Sequence, residues 1–401
     1  MVDFKLIGCI LLIVGTTIGA GMLALPIATA QLGFVGSVLL LFGIWMVMTA
    51  GALLILEVNL WLPQNSHLIS MAKATIGPIG QILAWLSYLL LLYSLLCAYI
   101  AGGSDLFHNL LVIAGINIKT GIAAVVFTCM FGLIVYLGIR VVDYVNRGLM
   151  VVKLGAYLLL IFLLLPLVNS AKLMAGHITN ITSVTAVTVT ITAFGYAAIV
   201  PSLRIYFAGD VKKLKIAIFV GSFIPLICYI FWDMVMMGVI PLTGSNSWMS
   251  ILQSTNSTSE LVNVLRAIVS YDSINFFVKI FTSICVLTSF LGVALCLADF
   301  LSDGLQLEKV GMNSIFIHLI VLLPPLVITL FFPGIFIQAL QYAGVYSIVL
   351  LILLPAWMAW NGRYRRHLAK EGYKLWGGRS LLIILILFSL VMLARSIMDI
   401  F

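Results

Sequence analysis

Charged side chains are scarce in this sequence. Asp, Glu, Lys and Arg make up only 8% of the 401 residues, whereas about a quarter of a typical soluble domain is charged. Apolar residues make up 63%, and the mean hydropathy is +1.23. Because such a chain cannot cover itself with polar surface, we expect it to lie in a bilayer, as one transmembrane domain over residues 1–401.

The sequence also lacks the residue clusters that catalysis and metal binding require. Its five histidines are scattered, and its six cysteines fall in apolar runs without metal-ligand spacing. The ionisable residues expected inside the membrane, Glu57, Lys153 and Asp233, fall in three different apolar runs. We therefore expect no enzyme activity, no metal or other cofactor, and no nucleic-acid partner.

Apolar runs of membrane-spanning length recur from one end of the chain to the other. They lack the short polar and apolar alternation of membrane strands, so the sequence predicts an all-α integral membrane protein. The eleven predicted spans are 4–30, 36–62, 79–101, 121–139, 149–168, 184–207, 216–240, 275–301, 314–332, 334–357 and 380–397.

Basic residues are unevenly divided between the two sides of this predicted topology. With a cytoplasmic amino terminus, sixteen of the 21 Lys and Arg residues lie on or near the cytoplasmic side. This excess predicts that orientation, and the odd number of spans then places residues 399–401 on the outside.

Helix-weakening residues interrupt the first predicted span. Residues 15–26 read GTTIGAGMLALP, with three glycines and two threonines where an ordinary span has Leu and Ile. Freed backbone groups are tolerated in lipid only inside protein or along a cavity, so a break here indicates something polar to bind. Close helix packing is the alternative, since Gly15 and Gly19 are spaced four apart.

The sixth predicted span carries a matching interruption at residues 192–203, TAFGYAAIVPSL. Interruptions in spans one and six predict two halves of opposite topology, 4–168 and 184–357, followed by an additional helix at 380–397. Paired broken helices favour a transporter with alternating access over a channel. Their positive helix ends and freed carbonyls suit a zwitterionic amino acid.

Three motifs resemble those of a known family. Residues 15–26, the run FGY at 194–196 with VPSL at 200–203, and LTSFLGVAL at 287–295 with DFL at 299–301 are similar to the hydroxy/aromatic amino acid permeases. This family belongs to the amino acid-polyamine-organocation superfamily, and the chain most resembles its tyrosine-specific members.

The resemblance implies the leucine-transporter fold, a 5+5 inverted repeat with broken helices 1 and 6, plus an eleventh helix. It also implies proton symport of an aromatic amino acid, with tyrosine favoured, across a bacterial inner membrane. Tryptophan, serine or threonine as substrate, and sodium as coupling ion, remain open alternatives.

We expect main-chain groups of both interruptions to hold the substrate, with Phe194 and Tyr196 near its ring and Tyr93 as part of the pocket wall. The predicted substrate-binding residues are Thr17, Ile18, Gly19, Ala20, Gly21, Met22, Tyr93, Phe194, Gly195, Tyr196 and Ala197.

Lys153 lies just inside the fifth predicted span. It could be a lysine whose stem returns the ammonium to the cytoplasmic surface. Proton-coupled relatives carry a lysine at such a place, so the resemblance implies that Lys153 replaces a sodium ion beside Thr288 and Ser289.

Two deep carboxylates complete the set of predicted functional residues. The resemblance to the wider fold implies that Glu57 supports the helix breaks by accepting hydrogen bonds from their backbone. For Asp233 we expect an ion pair with Lys279 or Arg266, with a place in an outer gate as the alternative.

Overall fold

The computed structural model describes residues 4–207, 210–269, 271–368 and 372–400. The elements in this part of the chain are helical. In chain order they are α1 (Phe4–Thr17), α2 (Ala20–Thr29), α3 (Gly33–Leu60), α4 (Leu68–Thr75), α5 (Pro78–Ile113), α6 (Thr120–Tyr136), α7 (Ile139–Leu164), α8 (Ser170–Leu173), α9 (Val184–Ala193), α10 (Val200–Tyr206), α11 (Val211–Val239), α12 (Trp248–Gln253), α13 (Ser257–Ile268), α14 (Asp272–Leu305), α15 (Gly311–Phe331), α16 (Phe336–Ser347), α17 (Leu354–Tyr364) and α18 (Gly378–Ile400).

Nine helical stretches in the described residues are long and apolar enough to cross a bilayer. One of them, Ala20–Leu60, joins α2 to α3 through a short 3-10 turn and so merges parts of the first two predicted spans. The predicted span 121–139 is the 17-residue helix α6, whose length of about 26 Å falls short of the bilayer's hydrocarbon core. An all-helical membrane protein is therefore confirmed.

Several helices extend beyond the predicted spans. Helix α5 continues to Ile113, twelve residues past the predicted end, and α7 begins at Ile139 rather than at 149. Hydropathy marks only the part of a helix that lies in lipid, whereas a helix can continue wherever its backbone bonds are made. Gly138, with φ of +95°, sets the sharp turn from which α7 starts.

Glycines allow close packing between α3 and the π-helical segment Ile348–Leu353 that follows α16, and between α16 and α9. A Cβ atom added to Gly51 of α3 would overlap the carbonyl oxygen of Leu351. One added to Gly344 of α16 would overlap that of Thr188 on α9. Small residues thus bring backbones into contact around the two interrupted helices, as is common between membrane helices.

Glu57, near the end of α3, forms a buried ion pair with Arg363 of α17. Its Oε1 accepts from Arg363 Nε at 2.7 Å, and its Oε2 accepts from Nη2 at 2.6 Å and from the Leu375 N–H at 2.7 Å. The prediction that Glu57 accepts hydrogen bonds from the helix breaks was therefore wrong. A buried guanidinium needs an anion, and its two-pronged contact is stronger than contacts from neutral amides.

The ion pair also joins the segment before α18 to the core. Burial and the negative charge of Glu57 together raise the pKa of Tyr373 to about 12, against a smaller opposing effect of the Arg363 charge, so this hydroxyl stays protonated at neutral pH. Lys215 lies 5.1 Å from the centre of the Tyr373 ring. The buried pair thus holds Leu375, in the described segment before α18, against α3.

Removing one member of the pair should destabilise the protein strongly. We expect Arg363→Met to lower the free energy of unfolding by about 3–5 kcal/mol, because Glu57 is left as an uncompensated buried charge. The double variant Glu57→Gln with Arg363→Met should recover part of that loss. Unfolding in mixed micelles gives the measurement.

The exposed pair of Asp143 and Arg147 on α7 provides the control. Asp143→Asn should change the free energy of unfolding by less than about 0.5 kcal/mol. A loss of similar size for Arg363→Met and Asp143→Asn would contradict a stabilising role for the buried pair.

Candidate functional site

The first interrupted span is broken between α1 and α2. The Ile18 N–H still donates to Val14 at 2.9 Å, but Gly19 is extended, with φ of −149° and ψ of −150°. Helix α2 then starts with the Met22 N–H donating to the Gly19 carbonyl at 3.1 Å. The break therefore frees the last carbonyls of α1 and the first N–H groups of α2.

Side chains from three other helices bond to these freed groups. The Thr17 carbonyl accepts from the Tyr229 hydroxyl of α11 at 2.7 Å, and the Ile18 carbonyl accepts from Lys153 Nζ of α7 at 2.7 Å. The Ala20 N–H donates to Ser289 Oγ of α14 at 2.9 Å. The break is thus satisfied by tertiary contacts, as a mid-membrane break must be.

The second interrupted span is broken after α9. Its backbone leaves the α-helix at Phe194, passes through a 3-10 segment at Gly195–Ile199 and resumes as α10 at Val200. Pro201 suits this restart, since its missing N–H falls in the first turn, where no helical partner exists. Both predicted interruptions are therefore true breaks in the helices.

The two breaks meet at Tyr229. Its hydroxyl lies 2.7 Å from the Thr17 carbonyl and 2.9 Å from the Ala193 carbonyl, so its single hydrogen is shared between both broken helices. The Phe194 ring packs edge-to-face on the Tyr229 ring, with centroids 5.2 Å apart. Tyr99 of α5 lies beside both Tyr229 and Ser289.

Close packing also joins the breaks directly. A Cβ atom added to Gly21 of α2 would lie 3.2 Å from the Ala193 Cα atom. By contrast, a Cβ atom added to Gly195 or to Gly292 of α14 would have no atom within 4 Å. The site therefore combines one tight backbone contact with open space beside the second break.

Lys153 is buried, with only 1% of its surface exposed. Its Nζ donates to the Ile18 carbonyl at 2.7 Å and to Thr288 Oγ1 at 3.2 Å, so it does not return to the cytoplasmic surface. Thr288 and Ser289 both donate their hydroxyl hydrogens to the Cys285 carbonyl, at 3.2 and 2.9 Å. Their lone pairs are thus left to accept from Lys153 and from the first break.

The structure places three other predicted residues away from the meeting point of the breaks. The Tyr196 hydroxyl donates to Thr49 of α3 at 3.2 Å, and the Tyr93 hydroxyl donates to the Ile320 carbonyl of α15 at 2.8 Å. Asp233 Oδ2 lies 2.5 Å from the Ser37 hydroxyl oxygen and 3.4 Å from the Thr29 hydroxyl oxygen. The predicted ion pair of Asp233 with Lys279 or Arg266 was wrong, because its contacts are hydroxyl groups of α2 and α3.

Sequence reasoning missed Tyr229 and Tyr99. Tyr229 is the one tyrosine of α11, and Tyr99 is one of three tyrosines of α5 whose spacings of five and six form no single stripe. Most aromatic side chains in long apolar helices only pack, so neither residue stood out. The only available hint was the position of Tyr229 near the middle of its predicted span. Its role depends on helix α11 passing between the two breaks.

The contact of Gly19 with Ser289 can be tested by a pair of substitutions. A Cβ atom on Gly19 would overlap Ser289 Oγ, whereas the Ser289 Cβ atom is at an ordinary 3.7 Å. We expect Gly19→Ala to lower the thermal stability and to weaken substrate binding at least tenfold. Adding Ser289→Ala should restore part of both losses, as measured by unfolding and by equilibrium binding.

Additive losses in the double variant would show that Gly19 and Ser289 do not contact each other. Gly148→Ala on α7 is the matched control, since a Cβ atom there has no neighbour within 4 Å. This control should bind and unfold like the unsubstituted protein.

Comparison with known proteins places this site in a family of transporters. The model of the tryptophan/tyrosine permease family matches residues 3–395. The chain is 36% identical to tyrosine-specific transport system 1 of Haemophilus influenzae over 95% of this chain and 94% of the relative. It is 30% identical to the tryptophan-specific transport protein of the same organism, over 98% of this chain and 96% of that protein.

A solved structure has the same fold. The crystal structure of MhsT in complex with L-phenylalanine superposes with a TM-score of 0.67 at 14% identity, covering 98% of both chains. The family resemblance and the expectation of a transporter rather than an enzyme are thus confirmed. The chain is a multi-pass membrane protein that belongs to the tryptophan/tyrosine permease family.

Proposed function

We propose that this protein imports an aromatic amino acid, with tyrosine favoured, by proton symport across a bacterial inner membrane. The observation that carries the proposal is the contact of Lys153 Nζ with the freed Ile18 carbonyl and with Thr288. The similarity to a tyrosine-specific system supports the choice of substrate, and the 30% identity to a tryptophan-specific protein makes tryptophan the second candidate.

The proposed architecture has eleven spans with a cytoplasmic amino terminus and an external carboxyl terminus. Residues 4–168 and 184–357 form the two halves of a 5+5 inverted repeat, and 380–397 is the additional helix. Two broken helices that share one hydroxyl partner, Tyr229, support this arrangement. In such transporters the halves rock around a site at the breaks.

The two helix breaks provide hydrogen-bond donors for the carboxylate of an amino acid and acceptors for its ammonium group. The N–H groups at the start of α2, with the positive end of its dipole, suit the substrate carboxylate. The Thr17 and Ala193 carbonyls suit the ammonium and are now both bound by the Tyr229 hydroxyl. We propose that substrate binding displaces this hydroxyl and that the ring enters the open space beside Gly195.

Lys153 provides the coupling in this proposal. When charged, its ammonium ties α7 to the first break and to α14 through the Ile18 carbonyl and Thr288. When neutral, it donates more weakly and releases them, since charge-assisted hydrogen bonds are about twice as strong as neutral ones. A sodium ion would need the same oxygens that Lys153 already occupies, which supports proton coupling over sodium coupling.

Replacing Lys153 should separate coupling from binding. In proteoliposomes without sodium, an inward proton gradient should drive concentrative tyrosine uptake, and Lys153→Ala should lose this drive while exchange of internal for external tyrosine continues. The control is Lys73→Ala, which removes an exposed lysine from α4 and should leave uptake unchanged. A dependence on sodium, or full proton-driven uptake by Lys153→Ala, would refute the assignment.

Enlarging Gly21 should block the site itself. Because its Cβ position is already 3.2 Å from the Ala193 Cα atom, Gly21→Val must push the two broken helices apart. We expect loss of tyrosine binding with normal membrane insertion, measured by radioligand binding and by yield in the membrane fraction. Gly43→Val on α3, where a Cβ atom has no neighbour within 4 Å, is the control. Normal tyrosine binding by Gly21→Val would exclude the first break as the site.

A further inference from the structure

The carboxyl group of Asp233 lies buried in the membrane-spanning part of the protein and, unlike that of Glu57, has no charged partner within the described ranges. Asp233, on α11, is 0% exposed. Its Oδ2 has two hydroxyl neighbours, Ser37 at 2.5 Å and Thr29 at 3.4 Å. Its Oδ1 has no hydrogen-bond partner among the described residues. An ionised carboxylate in such a place would be costly, because neither a cation nor enough donors surround it.

The hydroxyl hydrogens near Asp233 can be counted. Thr29 has one, and its nearest acceptor is the Leu25 carbonyl at 2.8 Å, closer than Asp233 Oδ2. Ser37 has one, which can go either to Asp233 Oδ2 or to Thr29 Oγ1 at 3.2 Å. An ionised Asp233 would therefore receive one hydrogen, from Ser37 only.

We infer that Asp233 is a proton-binding site, distinct from Lys153, and that it is protonated in this conformation. The carboxylate takes up one proton on Oδ2 and becomes a neutral acid. The acid then donates to Ser37, Ser37 donates to Thr29, and Thr29 donates to the Leu25 carbonyl. Each hydrogen in this chain has an acceptor, and no charge is left buried.

Four titratable groups on the helices around Asp233 form hydrogen bonds or ion pairs with other residues. Lys172 of α8 donates from Nζ to the Val239 carbonyl at 2.5 Å, and the Tyr157 hydroxyl of α7 donates to the Cys228 carbonyl at 2.9 Å. Lys153 holds the first break, and Glu57 holds Arg363. The other titratable groups on α11 and on the helices packed against it are Lys5 and Cys9 on α1, Arg140, Asp143, Tyr144 and Arg147 on α7, Arg204 and Tyr206 on α10, and Lys212, Lys213, Lys215, Cys228 and Tyr229 on α11 itself.

None of these groups, in the part of the chain that the structure describes, pairs with Asp233. The residues of α2, Ala20–Thr29, include no titratable side chain, and the only one of α3 is Glu57. Among the described residues, the polar contacts of the Asp233 carboxyl group are thus the hydroxyl groups of Ser37 and Thr29. This setting favours the neutral form of a carboxyl group.

Protonation of Asp233 links three helices. The hydrogen-bond chain runs from α11 through Ser37 of α3 to Thr29 and Leu25 of α2, the second half of the broken helix. Loss of the proton turns the Ser37 hydrogen toward the carboxylate and breaks the contact with Thr29. Proton release from Asp233 is therefore coupled to the position of α2.

Infrared spectroscopy of the full-length protein in liposomes tests this inference. At neutral pH the unsubstituted protein should show the carbonyl stretching band of a protonated carboxylic acid, and Asp233→Asn should lose it. Asp105→Asn is the matched control. Asp105 is also buried, but it accepts from the Ser259 N–H at 2.8 Å, the Ser259 hydroxyl at 2.6 Å and the Thr258 hydroxyl at 2.5 Å, as an ionised carboxylate does.

The band should survive in Asp105→Asn. If Asp233→Asn fails to fold, Ser37→Ala gives a second measurement. It removes the acceptor of the acid hydrogen and should shift the band to higher frequency. Absence of the band in the unsubstituted protein, or an unchanged band in Asp233→Asn, would overturn the inference. If Asp233→Asn does not fold, an unchanged band in Ser37→Ala would overturn it. Neither result depends on transport activity or on the role of Lys153.

Discussion

The structure depends on one constraint, that backbone groups released inside a membrane need partners from the protein. Two helices end at Thr17 and Ala193, which are both buried, and each leaves carbonyls without a partner in its own helix. A tyrosine hydroxyl and a lysine ammonium supply the donors, and a serine hydroxyl accepts from Ala20. The positions of α7, α11 and α14 follow, because each must bring its side chain to a break.

Satisfaction of the breaks by side chains also explains how they could bind and release a substrate. A carbonyl that accepts from an N–H of its own helix cannot bind a ligand unless the helix opens. A carbonyl that accepts from the Tyr229 hydroxyl can exchange this donor for an ammonium group. The same reasoning applies to Ser289 and the Ala20 N–H. In the proposed cycle the freed backbone groups would thus have hydrogen-bond partners both with substrate and without it. A transporter needs this, because it must change conformation in the loaded and in the empty state.

Glu57, Lys153 and Asp233 are all buried, but their surroundings differ in chemistry. Glu57 has a guanidinium partner and stabilises the contact of α3 with α17. Lys153 has only neutral oxygens, which belong to elements that must move in the proposed cycle. Asp233 has only hydroxyl groups. Burial alone does not separate a structural charge from one that exchanges protons, but the number of hydrogen-bond donors around the group and the charge of its partners do.

The sequence alone determined that the protein lies in a bilayer, that it is helical, and where both helix breaks are. The composition excludes a surface that is polar enough for water. Glycines followed a few residues later by a proline weaken a helix whatever surrounds it. These are local properties, so they can be read from residues 15–26 and 192–203. The family motifs carried the transporter assignment for the same reason, since they are contiguous runs.

Only the tertiary structure decided which side chains meet. Glu57 was expected at the breaks and Asp233 in an ion pair, yet Arg363 lies 306 residues from Glu57 along the chain, and Ser37 lies 196 residues from Asp233. Tyr229 joins both breaks without any motif of its own. Partners of this kind depend on which helices lie side by side and on how each is rotated. Packing of the whole bundle sets that rotation, and no local pattern of residues encodes it.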